Sequence, residues 1–296
     1  MFGHSGELSG VNLGIDLIDL RFVVMIKRIG GWDWLNDNEI VFGNWEWDRG
    51  EIWVLTGLKT PSKAGITVRR YYPTDIREPL GIKVVNGVVY VAHKWAITKL
   101  IDADKNGTAE TAETIVDFLH SPDGANLYSM DLKYKDGFFY TALPSLTTAG
   151  GGVGYPVPKE RGTVAKVNLT TKTIDYLCWG LRTPDGLGWG PEGELFTTDN
   201  QGAWLPSSKL IHVTKNRFFG LQPVLGGDPT LVESPPAIWM PHLEASNSPT
   251  QPMMLSTGPF AGQMLIGDDY YGNVHENAAP PYDYPIAPVI LVDDAR

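Results

Sequence analysis

The sequence predicts an all-β fold, a β-propeller built of four-stranded blades. Three observations carry that expectation. A turn residue followed by a short β-branched or aromatic run recurs at Asn38, Gly87, Gly137, Gly193 and, more loosely, Gly262. The copies lie roughly fifty to seventy residues apart, the spacing of a repeated supersecondary unit. Asn86-Gly87 and Asp136-Gly137 stand between apolar runs, and both dipeptides tolerate the positive φ of a tight hairpin. No long run carries the apolar spacing of an amphipathic helix.

The first unit starts near Gly31. Its phrase, Asn38-Glu-Ile-Val-Phe-Gly-Asn, is followed by strands over 51–58 and 67–72. The second reads as strands over 80–85, 87–93, 96–102 and 113–118. The third has 130–134, the run after Gly137, then 162–167 and 173–179. The fourth has 187–189, the run after Gly193 and 209–213. The fifth has the run after Gly262, and residues 288–292 are the strand that closing a ring would recruit. Short strands, about four to a period, indicate propeller blades, here about five to six. A β-sandwich with accidental self-similarity is the competing architecture. The expected organisation is an irregular segment 1–30, a propeller 31–276 and a tail 277–296.

Composition narrows the partners. Of 296 residues, 33 are Gly and 22 Pro, and Trp, Tyr and Phe number 10, 12 and 10. That is a turn-rich, aromatic-rich chain, suited to strands and stacking surfaces. The net charge of −10 disfavours nucleic acid and anionic membranes, because phosphate binding needs a basic face. The most apolar early stretch, 11–26, is broken by Asp16, Asp19 and Arg21, so no transmembrane segment is expected. The first residues make a poor signal peptide. One cysteine, Cys178, excludes an internal disulfide and reads as a buried thiol near a strand end.

Three phrases carry a family likeness. They are Gly180-Leu-Arg-Thr-Pro-Asp-Gly-Leu-Gly-Trp-Gly-Pro-Glu-Gly-Glu-Leu-Phe-Thr-Thr-Asp-Asn-Gln-Gly-Ala-Trp204, Ser256-Thr-Gly-Pro-Phe-Ala-Gly-Gln-Met-Leu-Ile-Gly-Asp268 and Glu78-Pro-Leu-Gly-Ile-Lys-Val-Val-Asn-Gly. Over residues 30–275 the chain resembles the glucose/sorbosone-dehydrogenase-like β-propellers, in particular the divergent membrane-bound-dehydrogenase type of propeller domain. The resemblance implies a carbohydrate-active enzyme that oxidises a sugar hydroxyl with pyrroloquinoline quinone and calcium, working outside the cell on a saccharide ligand. Related propellers include polysaccharide lyases that cleave at a uronic acid by β-elimination. A propeller that binds saccharide or protein without catalysis is the third reading. The sequence departs from the quinoprotein pattern in two ways. The basic residues near the motif loops are few, namely Lys94, Lys159, Arg161, Arg182, Lys215 and Arg217. The segment 125–130 also lacks a histidine that relatives often carry there.

The sharpest local signal is Asp102-Ala-Asp104-Lys-Asn106-Gly107-Thr108-Ala-Glu110-Thr-Ala-Glu113. Oxygen side chains at every second residue, a glycine at the sharp turn and a glutamate at position twelve match a calcium loop. The expected ligands are Asp102, Asp104, Asn106, Thr108 and Glu113, and the expected ion is structural calcium. An acidic turn without metal is the alternative. Among the histidines, His93 ends a strand and His242 lies in a loop before the fifth unit. Either suits a general base near neutral pH. Arg161 and Arg182 flank glycine turns, and a guanidinium fork suits a uronate or quinone carboxylate. For each of these four a packing or strand-end role competes. Asp199, Asn200 and Gln201, with Trp204, give the planar polar groups and stacking ring that a sugar needs; a structural turn competes equally.

Overall fold

The computed structural model describes residues 29–46, 49–59, 65–118, 128–145, 157–158, 160–201, 205–221, 224–225, 232–242, 244–268 and 289–292. Blade one is β1 (Ile29–Asn36), β2 (Glu39–Glu46), β3 (Arg49–Thr56) and β4 (Thr67–Tyr72). Blade two is β5 (Gly81–Val85), β6 (Val88–His93), β7 (Ala96–Ile101) and β8 (Thr111–Asp117). Blade three takes β9 (Met130–Lys135) and β10 (Phe138–Leu143). After the short β11 (Val157–Pro158) it continues with β12 (Thr163–Asn168) and β13 (Ile174–Tyr176). After β14 (Cys178–Trp179), blade four takes β15 (Thr183–Trp189), β16 (Leu195–Asn200) and β17 (Ser207–His212). It skips β18 (Arg217–Phe218) and β19 (Val224–Leu225) and ends with β20 (Ile238–Pro241). Blade five is β21 (Pro249–Met254), β22 (Met264–Asp268) and β23 (Val289–Val292). Every pairing inside a blade is antiparallel; β11 with β19 and β14 with β18 are the parallel pairs.

Two details differ from the sequence expectation. The strand expected over 173–179 is split. Ile174–Tyr176 pairs with β12, whereas Cys178–Trp179 leaves the blade to pair with Arg217–Phe218. A run of β-formers does not reveal a change of partner between neighbours. The outer strand of blade four, β20, comes after the excursion that carries β18 and β19 and had no signal of its own. No described helix is long and apolar enough to cross a membrane.

The inner strands β1, β5, β9, β15 and β21 touch in that order. They run in phase, because Asp33 accepts the amide of Val84 at 2.8 Å and Asp131 that of Leu187 at 3.0 Å. Glycine permits the approach. A Cβ on Gly81 would lie 2.5 Å from the carbonyl carbon of Asp131, closer than a real side chain comes. The core lies between blades. Val41, Ile52, Val54, Ile82, Val89 and Val91 fill the first seam, and Phe196, Leu210, Met240, Met264 and Ile266 the last.

Register then sorts the turns into two ends. Gly81 pairs with Ala92, His93 with Ala96 and Ala96 with Asp117. The start of the first strand, the turn between the second and third, and the end of the fourth therefore share one end of the blade. The same pairing holds at Met130–Ala142 and Leu143–Thr163, at Thr183–Asn200 and Ser207–Pro241, and at Pro249–Asp268. The hairpins Asn86-Gly87 and Asp136-Gly137, with φ of 52° and 76° and of 51° and 86°, mark the opposite end.

Candidate functional site

All four candidate catalytic side chains belong to the first of these ends. His93 closes β6, Arg161 precedes β12, Arg182 precedes β15 and His242 follows β20. Contacts link them from blade to blade. Lys94 lies 3.3 Å from Glu78, and the negative charge of Glu78 is felt by Tyr128. Arg161 donates Nη1–H to the Tyr128 carbonyl at 3.3 Å. The amide and hydroxyl of Ser145 donate to the Arg182 carbonyl at 2.9 and 2.8 Å. Arg182 and His242 are close enough for the guanidinium charge to disfavour the imidazolium.

Blade four builds the densest part. Asp199 is fully buried, and its carboxylate accepts the amides of Arg182 (both oxygens at 3.1 Å) and Thr183 (2.8 Å) and the side-chain amide of Gln201. Burial raises its pKa to about 6, against the opposing pull of Lys209 and these hydrogen bonds. Lys209 is its cross-strand partner. Lys209 is itself fully buried, donates to the Phe219 carbonyl at 2.6 Å, and lies 3.7 Å from Glu233 and 5.0 Å from the Trp239 ring centre. Arg182 turns Nη1 to the Asn200 carbonyl at 3.1 Å and to Thr183 Oγ1 at 3.3 Å. Asn200 reaches Ser248 at 3.1 Å, and Asp268 gathers Ser246 and the amides of Asn247 and Ser248. Asp199 and Asn200 end β16 and Gln201 follows it, with buried Asp199 as the hub of the hydrogen bonds. Trp204 lies outside the described residues.

The two histidines differ. His93 is packed into blade two with Nε2 2.8 Å from Thr98 Oγ1, and burial lowers its pKa to about 4. His242 is part-exposed, with Nε2 3.3 Å from Ser208 Oγ. Its pKa is lowered, first by burial and also by Arg182, while Asp268 opposes the shift. The lowered pKa favours the neutral imidazole, which can take a proton. Arg161 is fully buried, which lowers its pKa to about 10, and so stays charged.

Four buried polar atoms have no hydrogen-bond partner among the described residues and belong to this end: Asn44 Oδ1, His93 Nδ1, Ser129 Oγ and Gln201 Oε1. His93 and Gln201 stand at or just past the end of the second strand of blades two and four, and Asn44 lies two residues before the end of that strand in blade one. Buried polar groups are otherwise almost always paired, so such a set points to polar ligand atoms or water at this end.

The acidic loop lies at the other end, between Ile101 and Thr111, which are paired across β7 and β8. Asp102, Asp104 and Glu110 bring one carboxylate oxygen each within 4.8 Å of one another. Glu113 is not in that group, and this corrects the ligand set read from the sequence. It stands in β8 opposite Lys99, with its carboxylate 2.9 Å from Lys172. The calcium-loop template assumes a helical exit. Here the chain leaves as a strand that starts at Thr111, and Glu110 is the glutamate left in the loop. Asn106 spends its side chain on Asp104 (2.9 Å) and the Thr108 amide (2.8 Å). The loop also ties blade two to blade one through Arg69, which donates to the Gly107 carbonyl, and through the Ala109 amide on Tyr71 at 2.8 Å.

No protein-family model matches the chain, and no curated protein does. Solved structures do. A glucose-dehydrogenase-type oxidoreductase of Thermus thermophilus superposes with a TM-score of 0.57 at 12% identity, over 83% of this chain and 77% of its own. The fold is that of the sugar-dehydrogenase β-propellers. The pyrroloquinoline-quinone-bound aldose sugar dehydrogenase of Streptomyces coelicolor matches over 89% of this chain and 80% of its own, with a TM-score of 0.54 and 12% identity. A carbohydrate-active enzyme of Trichoderma reesei, solved in a calcium form, matches over 82% and 73%, with a TM-score of 0.57 and 11% identity. Sequence and structure agree on the fold, which at this identity is what the likeness carries.

The sugar-dehydrogenase fold raises the question of a quinone tricarboxylate. Of the cations at this end, Lys94 meets the Glu78 carboxylate, and Lys209 lies beside Asp199 and Glu233. Arg161 and Arg182 each direct an N–H to a main-chain carbonyl. A guanidinium held by a carbonyl keeps its full charge and suits a carboxylate ligand. Gln201 Oε1, without a partner among the described residues, supplies an acceptor on a side chain that shares Asp199 with the Arg182 amide. The donor types fit the group, though with few cations.

Proposed function

We propose that this end of the propeller is a saccharide site and that the chain is a sugar-dehydrogenase-like oxidoreductase. The carrying observation is a part-exposed imidazole, His242, within reach of the charge of buried Arg182, at the face where four blades each present a buried polar atom without a partner among the described residues. His242 takes the proton of the sugar hydroxyl, with Ser208 steadying the ring. Asn200 and Gln201 accept and donate to neighbouring hydroxyls. Arg182 and Arg161 would hold the carboxylates of a quinone, and such a cofactor would supply a hydride acceptor. Purified protein given pyrroloquinoline quinone and calcium should then reduce an electron-acceptor dye with an aldose. No reduction with any aldose contradicts the reading.

The second reading is β-elimination at a uronic acid, favoured by the same base beside a guanidinium able to neutralise the uronate. It predicts unsaturated products absorbing in the ultraviolet with no cofactor added. Failure of both assays with saccharide affinity intact leaves a binding propeller.

Two further outcomes follow. Arg182→Lys keeps the charge but loses the fork. A loss of activity or saccharide affinity of about tenfold, with the melting temperature little changed, supports a ligand role; earlier melting alone assigns Arg182 to Asn200 and Thr183. Calcium at Asp102, Asp104 and Glu110 would fasten blade two to blade one, away from the chemistry. At about 100-fold excess over its dissociation constant it should add about 2.7 kcal/mol to stability. Thermal melts with and without chelator read this, and the Asp102→Ala, Asp104→Ala double variant should lose the difference.

A further inference from the structure

We infer that Asp268, the buried carboxylate that ends β22, is the positioning residue for the base: it fixes Ser246, Asn247 and Ser248 so that Ser208 receives the Nε2–H of His242 and leaves Nδ1 as the nitrogen that takes a proton. This rests on the reading of His242 as the base and goes beyond it in naming the atom that acts and the residue that fixes it. His242 leaves β20 with its amide on the Pro206 carbonyl at 3.1 Å, which sets its backbone beside the start of β17. The chain then turns back, and the Ala245 amide meets the Pro241 carbonyl at 2.9 Å. Three donors converge on Asp268 from the next residues. They are the Ser246 hydroxyl and the amides of Asn247 and Ser248, the amides at 3.4 and 3.1 Å. Asp268 and Ser246 are both buried, and Asp268 stands in register with Pro249, where β21 begins. A carboxylate that accepts several hydrogen bonds from one short segment holds that segment in place.

Buried Ser208 transmits the result to the ring. Its hydroxyl oxygen lies 3.4 Å from the Asn247 carbonyl and 3.3 Å from His242 Nε2. A carbonyl can only accept, whereas an imidazole nitrogen either donates or accepts. The one hydroxyl proton therefore goes to Asn247, and the oxygen turns a lone pair to Nε2. The tautomer that fits carries its proton on Nε2, and Nδ1 keeps the lone pair. When Nδ1 takes a proton, the Nε2–H stays on Ser208, so one hydrogen bond serves both states of the base and nothing reorganises during the transfer. Charge supports the same assignment. Asp268 favours the imidazolium that forms, while burial and Arg182 disfavour it, and these two are the charged groups that the ring feels among the described residues. The carboxylate also sets Ser248, whose hydroxyl receives Asn200 Nδ2 at 3.1 Å. One residue of blade five thus positions both the base and a polar group of blade four.

Nitrogen NMR of the histidine rings, with a pH titration of the ring protons, tests this on wild type, Ser208→Ala and Asp268→Asn. Above the His242 midpoint, wild type is expected to carry the proton on Nε2 alone. Each variant should show a mixture of the two tautomers. The His242 midpoint should move to lower pH in Asp268→Asn, because the substitution removes the charge that supports the imidazolium. Turnover in either variant should fall about tenfold with KM changed less than about twofold, since the base is misplaced and the binding groups remain. A proton on Nδ1 or a mixture in wild type, or variants that keep the wild-type tautomer and midpoint, overturns the inference. Should Asp268→Asn fail to fold, the tautomers of wild type and Ser208→Ala decide. None of the NMR readouts needs turnover, so the two readings fail separately. The expected tautomers without activity on any sugar sink the role of His242 as base alone. Dye reduction that depends on His242, with mixed tautomers in wild type, sinks the role of Asp268 alone.

Discussion

Asp199→Ala should destabilise the protein by about 3–5 kcal/mol, the cost of breaking a buried ion pair by removing one partner. On a chain of this size that is a fall in melting temperature of about 6–20 °C. The cause is specific. The carboxylate receives the Arg182 and Thr183 amides and the Gln201 side chain, and it stands across the sheet from fully buried Lys209. Without it, those donors lose their acceptor, and the ammonium keeps Phe219 and a Glu233 oxygen 3.7 Å away. Asp199→Asn retains one acceptor and should lose less. The pH dependence has a definite sign. Burial lifts the Asp199 pKa from 3.8 to about 6, so folding favours its protonated form. The part of its contribution linked to titration is full below about pH 4 and is lost as pH rises through about 6, leaving the ion pair and the hydrogen bonds in place. The stability gap between wild type and Asp199→Ala, read by urea unfolding, should therefore be wider at about pH 4.5 than at about pH 7.5. A gap that widens with pH would show that Asp199 is held ionised.

His242→Ala should lower turnover by about 10²–10⁴-fold, the usual value of a positioned general base. Its melting temperature should stay within a few degrees, because the ring is part-exposed and its side-chain partner is Ser208 at 3.3 Å. The acid limb of the wild-type rate profile should lie below pH 6.5, since burial and Arg182 lower the His242 pKa. Protonation removes the base, so activity falls as the medium is acidified, and the variant should lack that limb. A variant with full activity, or an acid limb unchanged by the substitution, would assign the proton to another group. His93 is the first alternative. It is held by Thr98 and, with a pKa of about 4, stays neutral at any working pH.

How far the sequence could be read depended on whether a feature was local. The hairpins were legible because Asn86-Gly87 and Asp136-Gly137 answer a backbone demand that two adjacent residues meet alone. That His93, Arg161, Arg182 and His242 share one end needed the strand register, which shows that equivalent turns of the blades lie together. What escaped depended on partners far along the chain. Lys209 sits in an alternating strand, and only its register opposite Asp199 makes it a buried cation. Glu78 stands in the sequence only as the start of a family phrase, and its burial beneath Lys94 needs the blade to be folded. Glu110 replaced Glu113 because a strand, not a helix, follows the acidic loop.

The central claim is that ligand meets the protein at the end that carries His93, Arg161, Arg182 and His242. Amide hydrogen exchange on the purified protein, with and without a saturating saccharide, tests it most directly. Protection is expected in residues 77–80, 93–96, 128–130, 181–183 and 199–201, which hold that end's turns and strand approaches. None is expected at Asn86-Gly87, Asp136-Gly137 or Pro191–Gly193, the turns of the opposite end. Protection confined to those opposite turns, or spread evenly over both ends, would contradict the account.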